Sequence, residues 1–217
     1  MSQTLDKELQ LTPEQIAELL RPYVGAAAED LKPDWPRIHA QLSIYLALIL
    51  KWNARINLTA IRTPEEIVRR HFGESIFAAS HVGACDTLLD FGSGAGIPGI
   101  PIQLLRPGIH VTLAESRARK AAFLHEVIRT LGLRSEIWAS RVEAMPASRQ
   151  FDMVTLRAVD DMAAAVREAA RRAARSVLIL STLHGLDYPD LAQVFPAMET
   201  FPLPGSEDGV LLIARRG

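Results

Sequence analysis

Apolar residues recur at helical spacing in the first third of the chain. Between residues 38 and 50 they fall at intervals of three and four, which makes one face of a helix hydrophobic. The positions on this face are Ile38, Leu42, Tyr45, Leu46, Ile49 and Leu50. The pattern stops near Trp52 and Asn53. We therefore predict a buried helix that begins after Asp34-Trp35-Pro36 and ends there.

Two short motifs in the same region predict helix starts. Thr12-Pro13-Glu14-Gln15 and Thr63-Pro64-Glu65-Glu66 each place a threonine before a proline and an acid or amide three residues after the threonine. The threonine oxygen can accept a hydrogen bond from a free amide of the first turn, while proline occupies a position whose amide is spare. We predict that residues 1–80 form a helical N-terminal extension.

The pattern changes at residue 87, where short apolar runs begin to alternate with longer helical segments. The predicted strands are 87–91, 111–114, 135–138, 151–156, 176–180 and 210–214. The predicted helices are 101–105, 117–131 and 161–175. Such alternation is typical of an α/β fold in which a mostly parallel sheet is covered by helices on both faces. Residues 81–217 are expected to form this core, in one structural unit with the extension.

Composition and charge limit the partners of the chain. It has 217 residues, of which 48% are hydrophobic and 23% charged, and a formal net charge of -1, so any nucleic-acid site must be a local basic patch. Cys85, the single cysteine, excludes an internal disulfide and a cysteine-rich zinc site, which favours a reducing compartment and no metal. The N-terminus lacks an export signal and the apolar run 42–50 is too short to cross a membrane. We therefore expect a cytoplasmic protein.

The segment from Leu89 to Gly99 carries the strongest functional signal. It reads Leu-Asp-Phe-Gly-Ser-Gly-Ala-Gly-Ile-Pro-Gly and joins a predicted strand to a predicted helix. Because glycine has no side chain, the backbone amides of such a turn can approach a ligand closely. We expect a nucleotide-like cofactor at this turn, and a purely structural turn is the alternative.

Two acids near the turn help to define the cofactor. Glu115 follows the next predicted strand, where a carboxylate can bind two ribose hydroxyls, unless it is simply a solvated glutamate at a helix start. Segment 94–99 also fits the glycine spacing of dinucleotide-binding proteins. Asp90, however, lies two residues before the first glycine, where it would repel a pyrophosphate but can bind the ammonium group of S-adenosylmethionine directly or through water. We therefore favour S-adenosylmethionine and a methyltransferase.

Motifs spread over most of the chain resemble one methyltransferase family. They are 52–59 (Trp-Asn-Ala-Arg-Ile-Asn-Leu-Thr), 70–75 (Arg-His-Phe-Gly-Glu-Ser), 90–101, 115–124, 140–143, 151–152 and 157–159. From about Tyr45 to the C-terminus the chain resembles the RsmG (GidB) family of bacterial small-subunit ribosomal RNA guanine-N7 methyltransferases. The resemblance implies a Rossmann-like class I S-adenosylmethionine-dependent methyltransferase fold. It also implies methylation of a guanine at N7 in 16S ribosomal RNA.

Motif and resemblance together assign residues to the two sides of the site. The predicted cofactor residues are Asp90, Gly92, Gly94, Gly96, Ile97, Glu115, Val142, Glu143 and Arg157. The resemblance places Val142 and Glu143 at the adenine end. It implies that His71, Arg119 and Arg141 support the site or contact RNA. Without the motifs, Val142 would be interpreted as core and the charged residues as solvated surface groups.

Four features depart from the family pattern. Phe91 stands where smaller aliphatic residues are usual, and Gly73 replaces a bulky apolar residue. Asp160 and Asp161 follow the arginine segment where apolar residues or proline are expected, which puts substrate contacts there in question. The segment 184–198 is short, which predicts a truncated last crossover helix.

The predicted reaction needs no general base. Guanine N7 carries a lone pair and no proton, so that alignment and electrostatics dominate catalysis, and no catalytic residue is assigned. His71 is expected to be structural. Because bases of structured RNA are usually accessible in unpaired loops, we expect the substrate to be the small ribosomal subunit or an assembly intermediate. We also expect the enzyme to be a monomer. A nicotinamide-dependent oxidoreductase and a non-catalytic RNA-binding protein with the same fold are the alternatives.

Overall fold

Short apolar runs form a central sheet in the computed structural model, which describes residues 11–25 and 31–217. The strands of this part of the chain are β1 (Thr87–Phe91), β2 (His110–Ala114), β3 (Glu136–Trp138), β4 (Phe151–Arg157), β5 (Ala173–Thr182), β6 (Ala197–Pro202) and β7 (Gly209–Arg215). Each of the six predicted strands is present. The exposed edge strand β6 was not predicted, because most of its residues are solvent-exposed and carry no buried apolar face.

The strand order in the sheet is β3-β2-β1-β4-β5-β7-β6. The first five strands run parallel, whereas β7 pairs antiparallel with β5 and β6 pairs antiparallel with β7. β1 therefore lies between β2 and β4, and its carboxyl end meets theirs at one edge of the sheet. In the dinucleotide-binding fold the sixth strand directly follows the fifth. Here the antiparallel β7 is inserted between β5 and β6.

The described helices begin with α1 (Pro13–Leu20), α2 (Trp35–Asn53) and a composite helix, α3. The α3 helix consists of Pro64–Glu66, a π-helical stretch Ile67–Gly73 and Glu74–Ser80. The helices of the core are α4 (Gly99–Leu105), α5 (Ala118–Leu131), α6 (Met162–Arg172) and α7 (Pro189–Val194). The predicted helices are present, although the one predicted over 161–175 ends at Arg172, where β5 begins. The α7 helix has six residues, as the short segment before β6 implied.

One of the two predicted threonine caps is present. At Thr12 the side chain accepts a hydrogen bond from Gln15 N and the Gln15 side chain accepts one from Thr12 N, which completes a capping box. At Thr63 the prediction was wrong about the cap, although a helix does begin there. The Thr63 hydroxyl donates to the Glu66 carboxylate at 2.7 Å, so it makes no hydrogen bond to the free amides of the first turn.

Alternating residues of the strands face two separate hydrophobic layers. One layer contains Leu88 and Leu113 together with helices α1 to α5, and the other contains Leu89 and Leu156 together with α6 and α7. Because successive side chains of a strand point to opposite faces, each buried strand contributes to both layers. The predicted sheet with helices on both faces is confirmed.

Helices α1 to α3, the described part of the predicted N-terminal extension, pack into the first of these layers, whereas residues 1–10 and 26–30 of the predicted extension lie outside the described residues. Tyr45 of α2 is fully buried, and its ring stacks on Phe72 of α3 with 5.1 Å between the ring centroids. The structure explains why glycine replaces a bulky apolar residue at position 73, because a Cβ there would lie 2.6 Å from the ring of Tyr23. The tyrosine ring fills the space of the missing side chain. None of the helices in the described ranges combines the length and the hydrophobicity that a membrane crossing requires.

Candidate active site

The glycine-rich turn after β1 is shaped by residues with left-handed backbone conformations. Gly92 has φ of 69° and Gly96 has φ of 82°, a region that side chains disfavour. A Cβ on Gly96 would also lie 2.9 Å from the Tyr45 hydroxyl of the extension. That hydroxyl donates a hydrogen bond to the carbonyl of Ala95. The turn is thus fixed from below by α2, while Gly92 forms part of the surface above.

Glu115 links the end of β2 to this turn. Its carboxylate accepts hydrogen bonds from Gly94 N at 3.0 Å and from Arg117 N at 2.7 Å, and the residue is 6% exposed. It is therefore not the solvated glutamate of the alternative interpretation. The two bonds hold the carboxylate at the carboxyl edge of the sheet, beside the glycine turn.

A short 3-10 helix, Val142–Ala144, forms the next wall. Arg172 of α6 lies beneath it and donates to the carbonyls of Met145 at 3.1 Å and Pro146 at 2.6 Å. Arg172 is itself paired with Glu168 at 2.7 Å. Trp138 Nε1 donates to the carbonyl of Arg141 at 2.9 Å. These contacts fix the backbone of segment 141–146, which includes the 3-10 helix.

The glycine turn, the Glu115 carboxylate and the 3-10 helix surround a cleft of about 470 Å³ at the carboxyl ends of β1, β2 and β4. Five predicted site residues line this cleft: Gly92, Glu115, Arg141, Val142 and Glu143. Sequence reasoning grouped Arg141 with the RNA side, yet it shares this wall with the two residues assigned to the adenine. The four residues Phe91, Val159, Asp160 and Asp161 also line the cleft.

The departures at these positions have local explanations. Asp161 caps α6, because its side chain accepts a hydrogen bond from Ala164 N at 3.0 Å. Asp160 is exposed and forms an ion pair with Arg117 at 3.2 Å. Phe91 is 7% exposed and covers the apolar floor of the cleft. The acids therefore fix the rim and leave the glycine turn unobstructed.

Asp90 lies below the turn and outside the lining of the cleft. It is 1% exposed, and its carboxylate accepts hydrogen bonds from Thr155 Oγ1 at 2.9 Å and from Gly99 N at 3.3 Å. Burial raises the pKa of Asp90 to about 6, although hydrogen bonds from Thr155, Ser93 and Gly99 favour its charged form. The side chain connects β1, β4 and the start of α4.

Arg157, at the end of β4, also points away from the cleft. Its guanidinium pairs with the buried Glu74 at 2.8 Å and donates to the carbonyl of Arg70 at 2.8 Å. Burial lowers the pKa of Arg157 and raises that of Glu74, while the charge of each favours the charged form of the other. Arg157 therefore connects the core to α3. Glu74 lies within the histidine motif of the sequence, but its role as a partner was not predicted.

His71 lies next to this ion pair. The ring is 8% exposed, its Nε2 is 2.7 Å from Thr59 Oγ1, and its Nδ1 is buried without a hydrogen-bond partner among the described residues. Burial, together with the charges of Arg157 and Arg70, lowers the pKa of His71 to about 3. The ring is therefore neutral near pH 7. Its position fits a supporting role better than direct contact with RNA.

Four further predicted residues lie outside the lining of the cleft, namely Gly94, Gly96, Ile97 and Arg119. Gly94 N is bonded to Glu115, and Ile97 belongs to the hydrophobic layer that contains α2. Arg119 lies on the exposed side of the first turn of α5 and lines a separate cavity. Lys120 from the same turn does line the cleft.

Solved structures that superimpose on this chain define the class of fold. A protein of Listeria monocytogenes described as a class I S-adenosylmethionine-dependent methyltransferase superimposes with a TM-score of 0.59 and 13% identity, over 83% of this chain and 68% of its own. A 16S rRNA N2 methyltransferase of T. thermophilus, in complex with AdoMet and guanosine, superimposes with a TM-score of 0.51 and 20% identity, over 70% of this chain and 41% of its own. This likeness shows the fold, which is the Rossmann-like class I methyltransferase fold that the sequence predicted.

Sequence comparison defines the family. The family model for rRNA small subunit methyltransferase G (GidB) matches residues 38–183, about two thirds of the chain. The chain belongs to this family, which confirms the resemblance. Ribosomal RNA small subunit methyltransferase G of Stenotrophomonas maltophilia strain K279a is 45% identical over 124 residues, which are 57% of this chain and 58% of that protein. The Xanthomonas campestris pv. campestris strain B100 protein is 39% identical over 140 residues, 64% of each chain. The matched segments thus span about three fifths of these relatives.

Proposed function

We propose that the chain transfers a methyl group from S-adenosylmethionine to guanine N7 in 16S ribosomal RNA. The observation that carries this proposal is the cleft itself. It combines the glycine turn after β1 with the carboxylate of Glu115 at the end of β2, at the edge of the sheet where α/β proteins bind nucleotides. The family supports the choice of RNA, because its name specifies the small ribosomal subunit.

The residues of the cleft fit this cofactor. A volume of about 470 Å³ lies within the roughly 300–1,000 Å³ that small-molecule sites occupy. Glu115 would bind the ribose hydroxyls, Val142 and Glu143 would hold the adenine end, and Gly92 leaves room for the methionine part. When bound, S-adenosylmethionine supplies an electrophilic methyl group on a sulfonium. The carboxylates on the cleft wall are compatible with a positively charged ligand.

Three predicted site residues that do not line the cleft hold its surroundings in place. Asp90 is too buried to reach into the cleft, so we propose that it shapes the turn through its bond to Gly99 N. Arg157 holds the end of β4, from which Val159 reaches the cleft. No general base is required, because N7 has a free lone pair. His71, neutral and buried, supports α3.

The RNA side is assigned to exposed cations near the mouth of the cleft. Arg141 is exposed and lines the cleft, and Arg119 is exposed in the first turn of α5, which follows Glu115 in the chain. We propose that both contact RNA phosphates, which matches a chain whose net charge is -1 and whose basic groups must act locally. The large apolar side chains exposed in the described ranges, Ile44, Leu183 and Val194, are few, which supports a monomer. A cytoplasmic location is part of the same proposal.

Cofactor binding separates this function from the dinucleotide alternative. Calorimetric titration of the full chain is expected to show binding of S-adenosylmethionine and none of NADH. Selective binding of NADH would overturn the proposal. The antiparallel β7 between β5 and β6 already differs from the strand order of dinucleotide-binding domains.

Methylation of ribosomal subunits tests the reaction. Small subunits from a bacterial strain that lacks the corresponding activity are incubated with the full chain and labelled S-adenosylmethionine. Label is expected in the 16S ribosomal RNA, and chemical cleavage at 7-methylguanine then identifies the modified position. RNA binding without incorporation of label would instead support the non-catalytic alternative.

A further inference from the structure

A second cavity lies where the end of α2 meets α5. It has a volume of about 220 Å³, below the roughly 300 Å³ at which cavities begin to enclose a whole small-molecule ligand. Its lining residues are Lys51, Trp52, Arg55, Ile56, Arg119 and Glu126. We call this cavity the Trp52 pocket. Its size suits one planar group of a larger molecule.

The aromatic wall of the Trp52 pocket is held in place by two contacts. Trp52 Nε1 donates a hydrogen bond to Glu126 Oε2 at 2.8 Å. The indole also packs edge-to-face on the buried Phe123, with 5.8 Å between the ring centroids. A fixed, partly exposed indole offers a surface on which a nucleobase can stack, because every base has a π-face.

Positive charge exceeds negative charge around this indole. The Lys51 ammonium pairs with Glu126 Oε1 at 3.0 Å, and this hydrogen bond is the main cause that lowers the pKa of Glu126. Arg55 and Arg119 are exposed, and neither forms an ion pair with a residue that the structure describes. The three cations therefore outweigh the single carboxylate, and two guanidinium groups remain available for anions.

The Trp52 pocket adjoins the cofactor cleft through one helical turn. Arg119 lies between Arg117 and Lys120 in the chain, and both of these neighbours line the cleft. An extended ligand can therefore cross the first turn of α5 from one cavity to the other. An RNA strand combines the required properties, since it carries phosphates at regular spacing and unpaired bases that stack on aromatic side chains.

We propose that the Trp52 pocket holds an unpaired nucleotide of the RNA substrate that lies close in the strand to the methylated guanosine. The base stacks against Trp52, and the flanking phosphates bind Arg55 and Arg119. This inference rests on the proposed function, because it takes RNA as the substrate of the cleft. It assigns to the N-terminal extension a direct part in RNA recognition.

Binding of a labelled single-stranded RNA oligonucleotide to the full chain tests the proposal. The double variant Arg55→Ala/Arg119→Ala is expected to bind about tenfold more weakly at moderate salt. Its salt dependence should also decrease, because each lost phosphate contact lowers the slope of log K against log salt by about 0.7 for single strands. Fluorescence anisotropy at several salt concentrations measures both effects.

A second double variant, Arg37→Ala/Arg134→Ala, serves as the matched control. It removes the same charge, but Arg37 and Arg134 line a different cavity near the start of α2. RNA binding by this variant is expected to stay within about twofold of the unmodified chain. Equal losses in the two double variants would show an effect of bulk charge and overturn the proposal. Unchanged binding by the Arg55→Ala/Arg119→Ala variant would also overturn it.

Competitors separate RNA from other anions. Polyphosphate carries the charge of RNA without its bases, and polyglutamate represents an acidic protein segment. Both are expected to displace the oligonucleotide weakly. Displacement by polyphosphate at an equal concentration of charges would overturn the stacking role of Trp52. Tighter binding of polyglutamate, with dependence on Arg55 and Arg119, would indicate a protein partner and overturn the assignment to RNA.

Enzyme kinetics distinguish a failure of this inference from a failure of the proposed methyltransferase function. If the unmodified chain methylates ribosomal RNA and the Arg55→Ala/Arg119→Ala variant does so with unchanged KM, the pocket assignment alone is wrong. If the unmodified chain does not methylate ribosomal RNA but binds the oligonucleotide through Arg55 and Arg119, the proposed function is wrong and the RNA site stands. The expected result is a KM for RNA raised about tenfold with unchanged S-adenosylmethionine affinity.

Discussion

Residues close together at the carboxyl ends of β1 and β4 lie in two very different environments. Phe91 and Val159 line an open cleft, whereas Asp90 and Arg157 lie in a buried polar cluster beneath α3. For Asp90 and Phe91 this division follows from strand geometry, because successive side chains point to opposite faces of a sheet. Val159 lies beyond the end of β4, after Ala158, whose φ of 49° turns the chain out of the strand conformation. Adjacent positions in the same motif therefore have different tasks.

The charges of the two regions differ in their partners. In the cleft, Glu143 is exposed and Arg141 has an exposed side chain, so that both can interact with a ligand. In the buried cluster, Arg157 and Glu74 are paired with each other and are 13% and 8% exposed. An open cleft with exposed charges suits ligand binding. A buried and paired cluster suits the fixing of strand ends and of the extension.

Removal of Arg157 is expected to have the largest effect on stability. Arg157→Ala leaves Glu74 buried without its ion-pair partner, and loss of one partner of a buried pair typically destabilises a protein by about 3–5 kcal/mol. Urea denaturation followed by circular dichroism measures this change. Arg215→Ala is the control, because the Arg215–Glu199 pair is exposed and should contribute less than about 1 kcal/mol. A stable Arg157→Ala variant that has lost only its affinity for S-adenosylmethionine would show that Arg157 belongs to the cleft.

The open cleft is tested by Gly92→Val. Gly92 has φ of 69°, and a Cβ there would meet Val159 at 3.4 Å, so the fold should tolerate the change with a strain of about 1–2 kcal/mol. A branched side chain on the surface of the turn should nevertheless weaken S-adenosylmethionine binding at least 100-fold. Calorimetry measures the affinity, and thermal unfolding measures the stability.

Gly132→Val is a matched control for the backbone strain. Gly132 has φ of 65° at the end of α5, and a Cβ there would contact nothing within 4 Å. It should lose similar stability and keep its affinity for S-adenosylmethionine. Comparable affinities for the two variants would show that the turn does not contact the cofactor.

The same division explains which parts of the site could be predicted from sequence. The turn with Gly92, the strand-end acid Glu115 and the helix positions follow from local patterns, and all of them lie where the patterns placed them. Arg157 was grouped with the cofactor because the family resemblance implied a cofactor-site arginine there, but no local pattern reveals which way its side chain points. Its partner Glu74 is 83 residues earlier in the chain, a pairing that depends on how α3 packs.

The edge strand β6 shows a related limit. Its residues carry little buried apolar surface, and they form a strand because β7 offers a free edge for hydrogen bonding. Tertiary context thus determines this element, whereas the buried strand β1 is evident from its own sequence. Predictions from sequence were reliable where burial and turn chemistry are local, and incomplete where partners come from distant segments.

Acid sensitivity should distinguish the buried cluster from the cleft. Folding lowers the pKa of His71 from its ordinary 6.5 to about 3. Below pH 6.5 the imidazole therefore binds a proton in the unfolded chain but not in the folded chain. Stability from this residue is present above pH 6.5 and is lost as the pH falls, by about 2 kcal/mol between pH 7 and pH 5. Asp90, whose pKa is raised to about 6, opposes this loss by about 1 kcal/mol, because the folded chain takes up that proton first.

The variant His71→Gln removes the acid-sensitive group and keeps a side-chain amide that can reach Thr59. Relative to the unmodified chain, its stability should improve by about 2 kcal/mol when the pH is lowered from 7 to 5. Urea denaturation at the two pH values measures the difference. His125→Gln, at an exposed position on α5, should keep the original pH dependence. If the His71→Gln variant also keeps it, the ring is accessible to protons in the folded chain and the cluster is less closed than its geometry indicates.

The smallest expected effect concerns Arg141, which lines the cleft but is assigned to RNA. Its backbone is fixed independently of its side chain, because its carbonyl accepts the hydrogen bond from Trp138 and Arg172 holds the following residues. Arg141→Ala should therefore preserve the adenine wall and keep the affinity for S-adenosylmethionine within about twofold. The KM for ribosomal RNA should rise about fivefold, as expected for one lost charge-assisted contact of about 1 kcal/mol. Arg167→Ala, at an exposed position on α6, should change neither value. Equal losses of cofactor and RNA affinity in the Arg141→Ala variant would place this guanidinium on the cofactor, and the cleft would then bind its ligand through one more charged group than the present assignment contains.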